Sequence, residues 1–442
     1  MRIQLSDHFT YRKLLRFTLP SIVMMIFTSI YGVVDGMFVS NFVGKTPFAA
    51  VNLIYPVLMI LGALGFMVGT GGAAIVAKTL GEGKPALANQ YFTLLVLSAA
   101  AGGGVVSLLG LLFIRPVSAA LGAEGAMLEH CVLYARIILA ANPFFILQNV
   151  FQSFFVAAEK PKLGLGVTVG AGLTNIALDA LLVAVFPLGL AGAAIATAMS
   201  QVVGGLAPVL YFARKNGSLL RLTRTRFYGR ILAKTCANGS SELMSNISSS
   251  LVSILYNFQL MRLAGEDGVA AYGVVMYLAF VFAAIFIGYS VGSAPIISYH
   301  YGAGNNRELG GLLRKSTVLC AIGGAAMAGL SALAAAPLGR IFVGYDPDLL
   351  ALTVRGLRLF ALSFLFSGLN IFGSAFFTAL NNGLISALIS FLRTLVFQCG
   401  SVALLPLALG VDGIWLSVAA AELAALVLTG VFLAVNRRTY RY

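Results

Sequence analysis

Twelve stretches of this chain are long and apolar enough to cross a bilayer, and little sequence is left between them. A helix needs about 20 apolar residues, at about 1.5 Å each, to traverse a hydrocarbon layer of about 30 Å. The stretches fall near 15–41, 48–77, 89–113, 131–156, 163–186, 190–213, 237–262, 269–300, 312–336, 351–380, 384–407 and 411–435. Only 10% of the 442 residues are charged and 59% are hydrophobic, whereas a globular domain carries about 25% charge. The sequence therefore predicts an all-α integral membrane protein. Its 49 glycines suit close helix–helix approach in lipid. Prolines inside the spans, such as Pro20, Pro143 and Pro406, are tolerated where neighbours or cavity water satisfy the released carbonyls.

The net charge of +14 could suggest nucleic acid, but its distribution argues otherwise. Basic residues gather in alternate loops. Arg2, Arg12, Lys13 and Arg16 precede the first span, Lys78 and Lys84 follow the second, and Lys160 and Lys162 follow the fourth. The segment 214–234 alone carries seven, among them Arg214, Arg221 and Arg230. Arg307, Arg314 and Lys315 follow the eighth span, and Arg437, Arg438 and Arg441 lie in the tail. The opposite loops hold few, such as Lys45, Arg115, Arg262 and Arg340. Positive-inside bias then places both termini in the cytoplasm, and the basic clusters are read as topology signals and lipid-headgroup contacts. No cleavable leader is expected, because the first apolar run is too long and lacks a small-residue cleavage site.

Little else carries chemistry. Cys131, Cys236, Cys320 and Cys399 are scattered without metal spacing, and His8, His130 and His300 are equally dispersed. The run GTGGAAIVAKTLGEGK lacks the Gly-Lys-Ser/Thr ending and the preceding strand of a phosphate loop. Neither an enzyme nor a cofactor is indicated.

The chain repeats itself. Val68-Gly69-Thr70 answers Val291-Gly292-Ser293, Phe154-Phe155-Val156-Ala157 answers Phe376-Phe377-Thr378-Ala379, and LGLAG at 188–192 answers LGVDG at 409–413. All three pairs lie 221 to 223 residues apart. Six spans per half is an even number, so both halves enter the membrane in one direction, as parallel repeats with a site between or within them. The expected division is an N-terminal lobe over 1–213, a basic linker over 214–234 and a C-terminal lobe over 235–442.

Within this apolar frame Asp35, Asp179 and Glu242 are out of place, and Glu422 less so. An acid at mid-membrane costs about 2.5–3.5 kcal/mol on insertion scales, so it usually faces a wet cavity and carries something. Asn175 and Asp179, at i and i+4, share one helix face. Their oxygens could bind a hard cation, or the carboxyl could take a proton, and Asp35 could complete the site. The repeat aligns Asp35 with Asn257, Glu242 with Pro20 and Glu422 with Gln201, so ion chemistry is expected mainly in the N-terminal lobe.

These features resemble the multidrug and toxic compound extrusion (MATE) family along essentially the whole chain. The likeness runs from YGVVDGMFVSNFVG through GLTNIALDALLVAVFPLGLAGAAIAT to VGSAPIISYHYGAGN and LGVDGIW. It implies two six-helix lobes around a central cavity, and export of amphipathic, often cationic compounds against inward H⁺ or Na⁺ by alternating access. It also implies an N-lobe cation or proton site made of Asp35, Asn175, Asp179 and Thr197, with no metal beyond Na⁺. In the C-lobe, Glu242 fits a family position on helix 7, while Asn370 stands where some members have Asp. Glu242, Asn257 and Asn370 are thus candidate contacts for substrate or cation. Expected partners are a small-molecule substrate and membrane lipids, with the protein acting as a monomer in a bacterial or archaeal inner membrane.

Met24, Met25, Phe27, Tyr31, Tyr256, Met276 and Tyr277 could line a pliable cavity, although such residues more often pack or face lipid. The main alternative is a flippase for a lipid-linked sugar, for which Arg393 in the eleventh span offers a phosphate contact. A channel fits less well, because two unequal lobes with single acids suit antiport.

Overall fold

The structure is a computed structural model. It describes residues 3–344 and 346–442, and their side chains except those of Val33, Gly36, Met37, Ser40, Asn41, Lys45 and Glu266. Arg2 of the basic arm and the Lys45 side chain thus lie outside what is described. Twelve helices and no strand are found among the described residues. They are α1 (Tyr11–Phe38), α2 (Lys45–Gly81), α3 (Pro85–Ala120), α4 (Gly125–Ala157), α5 (Pro161–Val185) and α6 (Gly189–Ala213). A second set follows: α7 (229–264), α8 (266–302), α9 (Asn306–Val343), α10 (Pro347–Ala379), α11 (Gly383–Leu409) and α12 (Val411–Tyr440). The continuous helix from α7 into α8 breaks at Gly265, whose φ of 63° is costly for any residue with a Cβ.

Each expected span has its helix, and most helices overrun it. The expectation for α9 was 312–336, while the helix runs Asn306–Val343, capped by the Asn305 side chain on Glu308 N–H. Hydropathy registers only the lipid-facing length, whereas backbone hydrogen bonding continues into the polar flanks. The expected linker 214–234 is likewise shorter, because its last residues form the first turns of α7. What remains runs along α3: Arg221 N–H donates to Asn89 Oδ1 (2.7 Å) and Thr223 N–H to Thr93 Oγ1 (2.9 Å).

The internal repeat is written into the turns. Positive φ recurs in four pairs 221 or 222 residues apart: Gly44 with Gly265, Gly83 with Gly304, Glu159 with Asn381, and Gly189 with Gly410. Behind the last pair, a Cβ at Gly192 would meet Leu182 O at 2.8 Å, and one at Gly413 would meet Leu405 O at 2.5 Å. Both turns therefore fold a helix start tightly onto the helix before it. The molecule is two six-helix lobes related by a parallel repeat.

The lobes meet at the end of the bundle that carries both termini. A Cβ at Gly239 of α7 would lie 1.9 Å from Met67 O of α2, and one at Gly302 of α8 would lie 2.1 Å from Lys78 O. Gly288 and Gly292 of α8 press in the same way on Ser21 and Thr18 of α1. Asn238 ties the seam, donating from Nδ2 to Thr378 O (2.9 Å) and to Gly71 O (3.4 Å). One helix at this seam is unusually polar. Among the described residues, eleven helices are long and apolar enough to span, and α7 is not one of them. Its Ser-rich stretch, SSELMSNISSS, lowers the hydropathy of a helix whose inner end packs closely on α2 at Gly239, while Leu251, Ile254 and Phe258 further along it are exposed.

A strap formed by the N-terminal segment crosses the same end. Leu5 and Phe9 are completely buried. Leu5 N–H donates to Glu159 Oε1 of the N-lobe (2.7 Å), and Phe9 N–H to Glu308 Oε1 of the C-lobe (2.9 Å). His8 Nδ1 lies 2.6 Å from the other Glu308 oxygen, and Lys315 Nζ donates to Phe9 O. Ahead of α1, Asp7 pairs with Lys13 at 2.7 Å. Burial opposes ionisation of Asp7, but Lys13 and the Gln4 N–H hold its carboxyl below the ordinary range.

Candidate functional site

Three helices bring the N-lobe candidates together. Asn175 and Asp179 share a face of α5, as their spacing requires, and both are buried. Thr197 enters from α6 and Asp35 from α1. Asn175 Nδ2 donates to Thr197 Oγ1 at 3.4 Å, and that hydroxyl donates to Asp35 Oδ1 at 3.3 Å. Both distances are near the outer limit for hydrogen bonds, so the ring is loosely drawn. The Asp35 and Asp179 carboxyls lie within hydrogen-bonding reach of each other.

Satisfaction of these groups is incomplete in an informative way. Asp179 is 0% exposed, and both of its oxygens lack a donor, as does Oδ1 of Asn175. Buried polar atoms without partners cost roughly 1–3 kcal/mol each, more when charged. Two ionised carboxylates can only accept, so their proximity relieves neither. A proton shared between them would, and so would a hard monovalent cation among the oxygens. The donor set, carboxylates with an amide oxygen and a hydroxyl, fits either.

Backbone irregularity marks the same place. Directly after Asp179, α5 widens: Phe186 N–H reaches Leu181 O at 2.9 Å, an i to i−5 bond. Shortly after Asp35, α1 does the same over Val39–Val43, where Gly44 N–H reaches Val39 O at 3.2 Å. Such single π turns cluster at functional sites because they re-aim side chains and loosen carbonyls.

Aromatic residues that sequence reasoning missed enclose Asp35. Tyr134 of α4 is buried and reaches Thr197, while Tyr55 of α2 is half-exposed and lies in the field of Asp35. Tyr31, which the sequence had suggested only as a cavity residue, is in the same group and reaches Gln148. An intramembrane acid is conspicuous in a sequence, whereas a tyrosine in a span has no such signal.

The C-lobe candidates do not form one cluster. Glu242 and Asn257 lie on α7, fifteen residues apart, or about 22 Å along the helix, and Asn257 is exposed. Asn370 of α10 is buried and engaged elsewhere: Nδ2 donates to Glu422 Oε2 (2.7 Å) and to Glu422 O (2.8 Å). Glu422 of α12 is gripped by Arg393 of α11, with Nε 2.9 Å from both carboxylate oxygens and Nη2 2.8 Å from Oε1. Sequence had given Glu422 little weight, because its partner lies on another helix. Among the suggested cavity residues, Met24 and Tyr256 are buried, Tyr256 stacked on Tyr272 with centroids 5.4 Å apart.

Comparison with known proteins agrees with this architecture. The model of the MatE family matches residues 20–181 and 243–400. Multidrug export protein MepA of Staphylococcus haemolyticus is 24% identical over 368 residues, covering 81% of this chain and 80% of the relative. MepA of Staphylococcus aureus is 28% identical over 305 residues, covering 67% and 66%. Among solved structures, the outward-facing conformation of a multidrug resistance MATE family transporter superposes with a TM-score of 0.93 at 22% identity, covering 98% and 97%. A MOP superfamily transporter from Pyrococcus furiosus gives 0.92 at 21%, covering 98% of each chain. At such identities the solved structures speak for the fold, and the family match says more. The chain belongs to the MatE family and is an integral membrane transporter, not an enzyme.

Proposed function

We propose that this transporter exports amphipathic, predominantly cationic small molecules by antiport with H⁺ or Na⁺, and that Asp35, Asn175, Asp179 and Thr197 bind the coupling ion. The observation that carries the reading is the set of donorless buried oxygens on Asp179 and Asn175 beside Asp35. The relatives named for multidrug export support drug export as the task. With basic loops and both termini in the cytoplasm of a bacterial or archaeal inner membrane, the sealed seam is the inner gate, and the molecule faces outward.

In the cycle that follows, the ion enters from outside and neutralises the Asp35–Asp179 pair. Relief of the donorless oxygens tightens α1, α5 and α6, which lowers affinity for the substrate. Substrate leaves outward, the seam opens, and the ion leaves inward before the next substrate binds. One positive charge moving inward releases about 2.3 kcal/mol per 100 mV. Each ligand shifts the equilibrium only by its difference in affinity for the two states. The working unit is a monomer in contact with lipid. The flippase alternative loses weight because Arg393, its phosphate contact, is already committed to Glu422.

The test uses purified protein in liposomes loaded with a fluorescent cationic dye, under a pH gradient or a Na⁺ gradient separately. Dye movement driven by one gradient and lost in Asp179→Asn is the expected result and names the ion. Dye movement that persists unchanged in Asp179→Asn, at equal reconstitution, refutes the site.

A further inference from the structure

The two lobes carry matching polar sets with one exchange. In the N-lobe the set is two carboxylates, an amide and a hydroxyl: Asp35, Asp179, Asn175 and Thr197. In the C-lobe it is a carboxylate, an amide, a hydroxyl and a guanidinium: Glu422, Asn370, Thr429 and Arg393. In each lobe an amide and a hydroxyl are chained to a carboxylate, though in opposite order. Thr429 Oγ1 donates to Asn370 Oδ1 at 3.2 Å, and Asn370 Nδ2 donates to Glu422 Oε2 at 2.7 Å. Glu422 is 2% exposed, Asn370 0% and Thr429 2%.

The difference lies in satisfaction. The N-lobe set leaves three buried oxygens without donors, while neither Glu422 oxygen is left so. Both Glu422 oxygens are held by Arg393. Arg393 itself sits in a widened stretch of α11, Leu392–Phe397, just as Asp179 adjoins one in α5. Other ionisable groups near the pair are Glu242 on α7, which feels the Arg393 charge, and Tyr256, which feels both Glu422 and Cys399.

We propose that Arg393 is a built-in cation: its guanidinium fills the C-lobe carboxylate site, so Glu422 takes up neither H⁺ nor Na⁺ and ion binding is confined to the N-lobe. Arg393 is then a specificity-determining residue that sets the number of ion sites per molecule. Removing it leaves a buried carboxylate uncompensated, a strongly unfavourable state, and a proton or Na⁺ would be recruited in its place. The consequence for stoichiometry rests on the antiport reading, but the site itself does not, and it can be measured without transport.

The measurement is thermal stability of the purified full-length protein across Na⁺ concentrations and pH at constant ionic strength, with the N-lobe site silenced by Asp35→Asn and Asp179→Asn. With Arg393 intact, the melting temperature should be the same with and without Na⁺, and Glu422→Gln should leave its pH profile unchanged. Adding Arg393→Gln should create a rise of about 3 °C or more with Na⁺ or with acid, as binding to the folded state requires. Adding Glu422→Gln as well should abolish that rise, which separates Glu422 from Glu242. A folded Arg393→Gln variant with no ion-dependent rise overturns the proposal. So does a rise that already exists with Arg393 present and disappears with Glu422→Gln. If Arg393→Gln folds in Na⁺ or acid but otherwise only when Glu422→Gln accompanies it, the proposal stands; if neither Na⁺ nor acid restores it, no ion replaces the guanidinium and the proposal falls. If it fails in both backgrounds, Arg393 is a packing strut and the proposal falls.

Discussion

At the scale of single residues, the site is an arrangement of acceptors short of donors. Thr197 is the most instructive position, since its hydroxyl links Asn175 to Asp35 through two long hydrogen bonds. Thr197→Val keeps the shape and removes that link. One such bond is worth about 1 kcal/mol, so apparent ion affinity should fall several-fold while export under a saturating gradient is retained. An unchanged ion dependence in reconstituted vesicles would show that Thr197 is a bystander. Asp35→Asn should act more severely and abolish coupled export, because the amide cannot share a proton with Asp179; its resistance phenotype at equal expression checks this. The acids were legible in the sequence from cost alone. Tyr55 and Tyr134 were not, because an aromatic residue in a span has several ordinary uses and only proximity to Asp35 gives these two another.

Elements tell a second story, in which glycine decides where helices touch. Gly239 is the tightest point of the seam, with space for no side chain against Met67 O. Gly239→Ala should therefore wedge α7 from α2 and disfavour the sealed state. Cysteines placed along the inner halves of α2 and α7 should then label several-fold faster with a water-soluble maleimide; unchanged labelling would mean that the seam relaxes around a methyl group. The strap is the complementary device. Glu308→Gln weakens the anchor of Phe9 N–H and His8 on the C-lobe, and the same labelling should rise, by less than for Gly239→Ala. Asp7 adds a pH component. Its carboxyl is held below the ordinary range, so its pairing with Lys13 contributes fully above the ordinary range and is lost as pH falls to the lowered value of the folded state. Helix existence was readable from hydropathy, whereas α7 shows its limit: serines lower the hydropathy of a helix that still exposes Leu251, Ile254 and Phe258.

On the scale of the whole molecule, two lobes built alike are equipped differently. The repeat was visible in three short sequence anchors, and the four paired positive-φ turns display it again in the backbone. The parallel lobes are in close contact at the end that carries both termini. If both termini are cytoplasmic, tags at either end should be inaccessible to protease in intact cells and cut in inverted vesicles. Cleavage from outside would reverse the assignment of the inner gate, and with it the direction of transport.

By itself, the sequence determined the membrane class, the helix count, the duplication and the acids that do not belong in lipid. These follow from local composition and from the large cost of misplaced charge, which any short window records. Only the tertiary structure decided which acids are short of partners. Asp179 and Glu422 look alike as isolated carboxylates in apolar helices, yet one meets another acid and the other meets Arg393. The sign of a neighbour across a helix interface is set by packing between elements tens to hundreds of residues apart, and in a low dielectric that sign governs whether a buried carboxylate must find an ion.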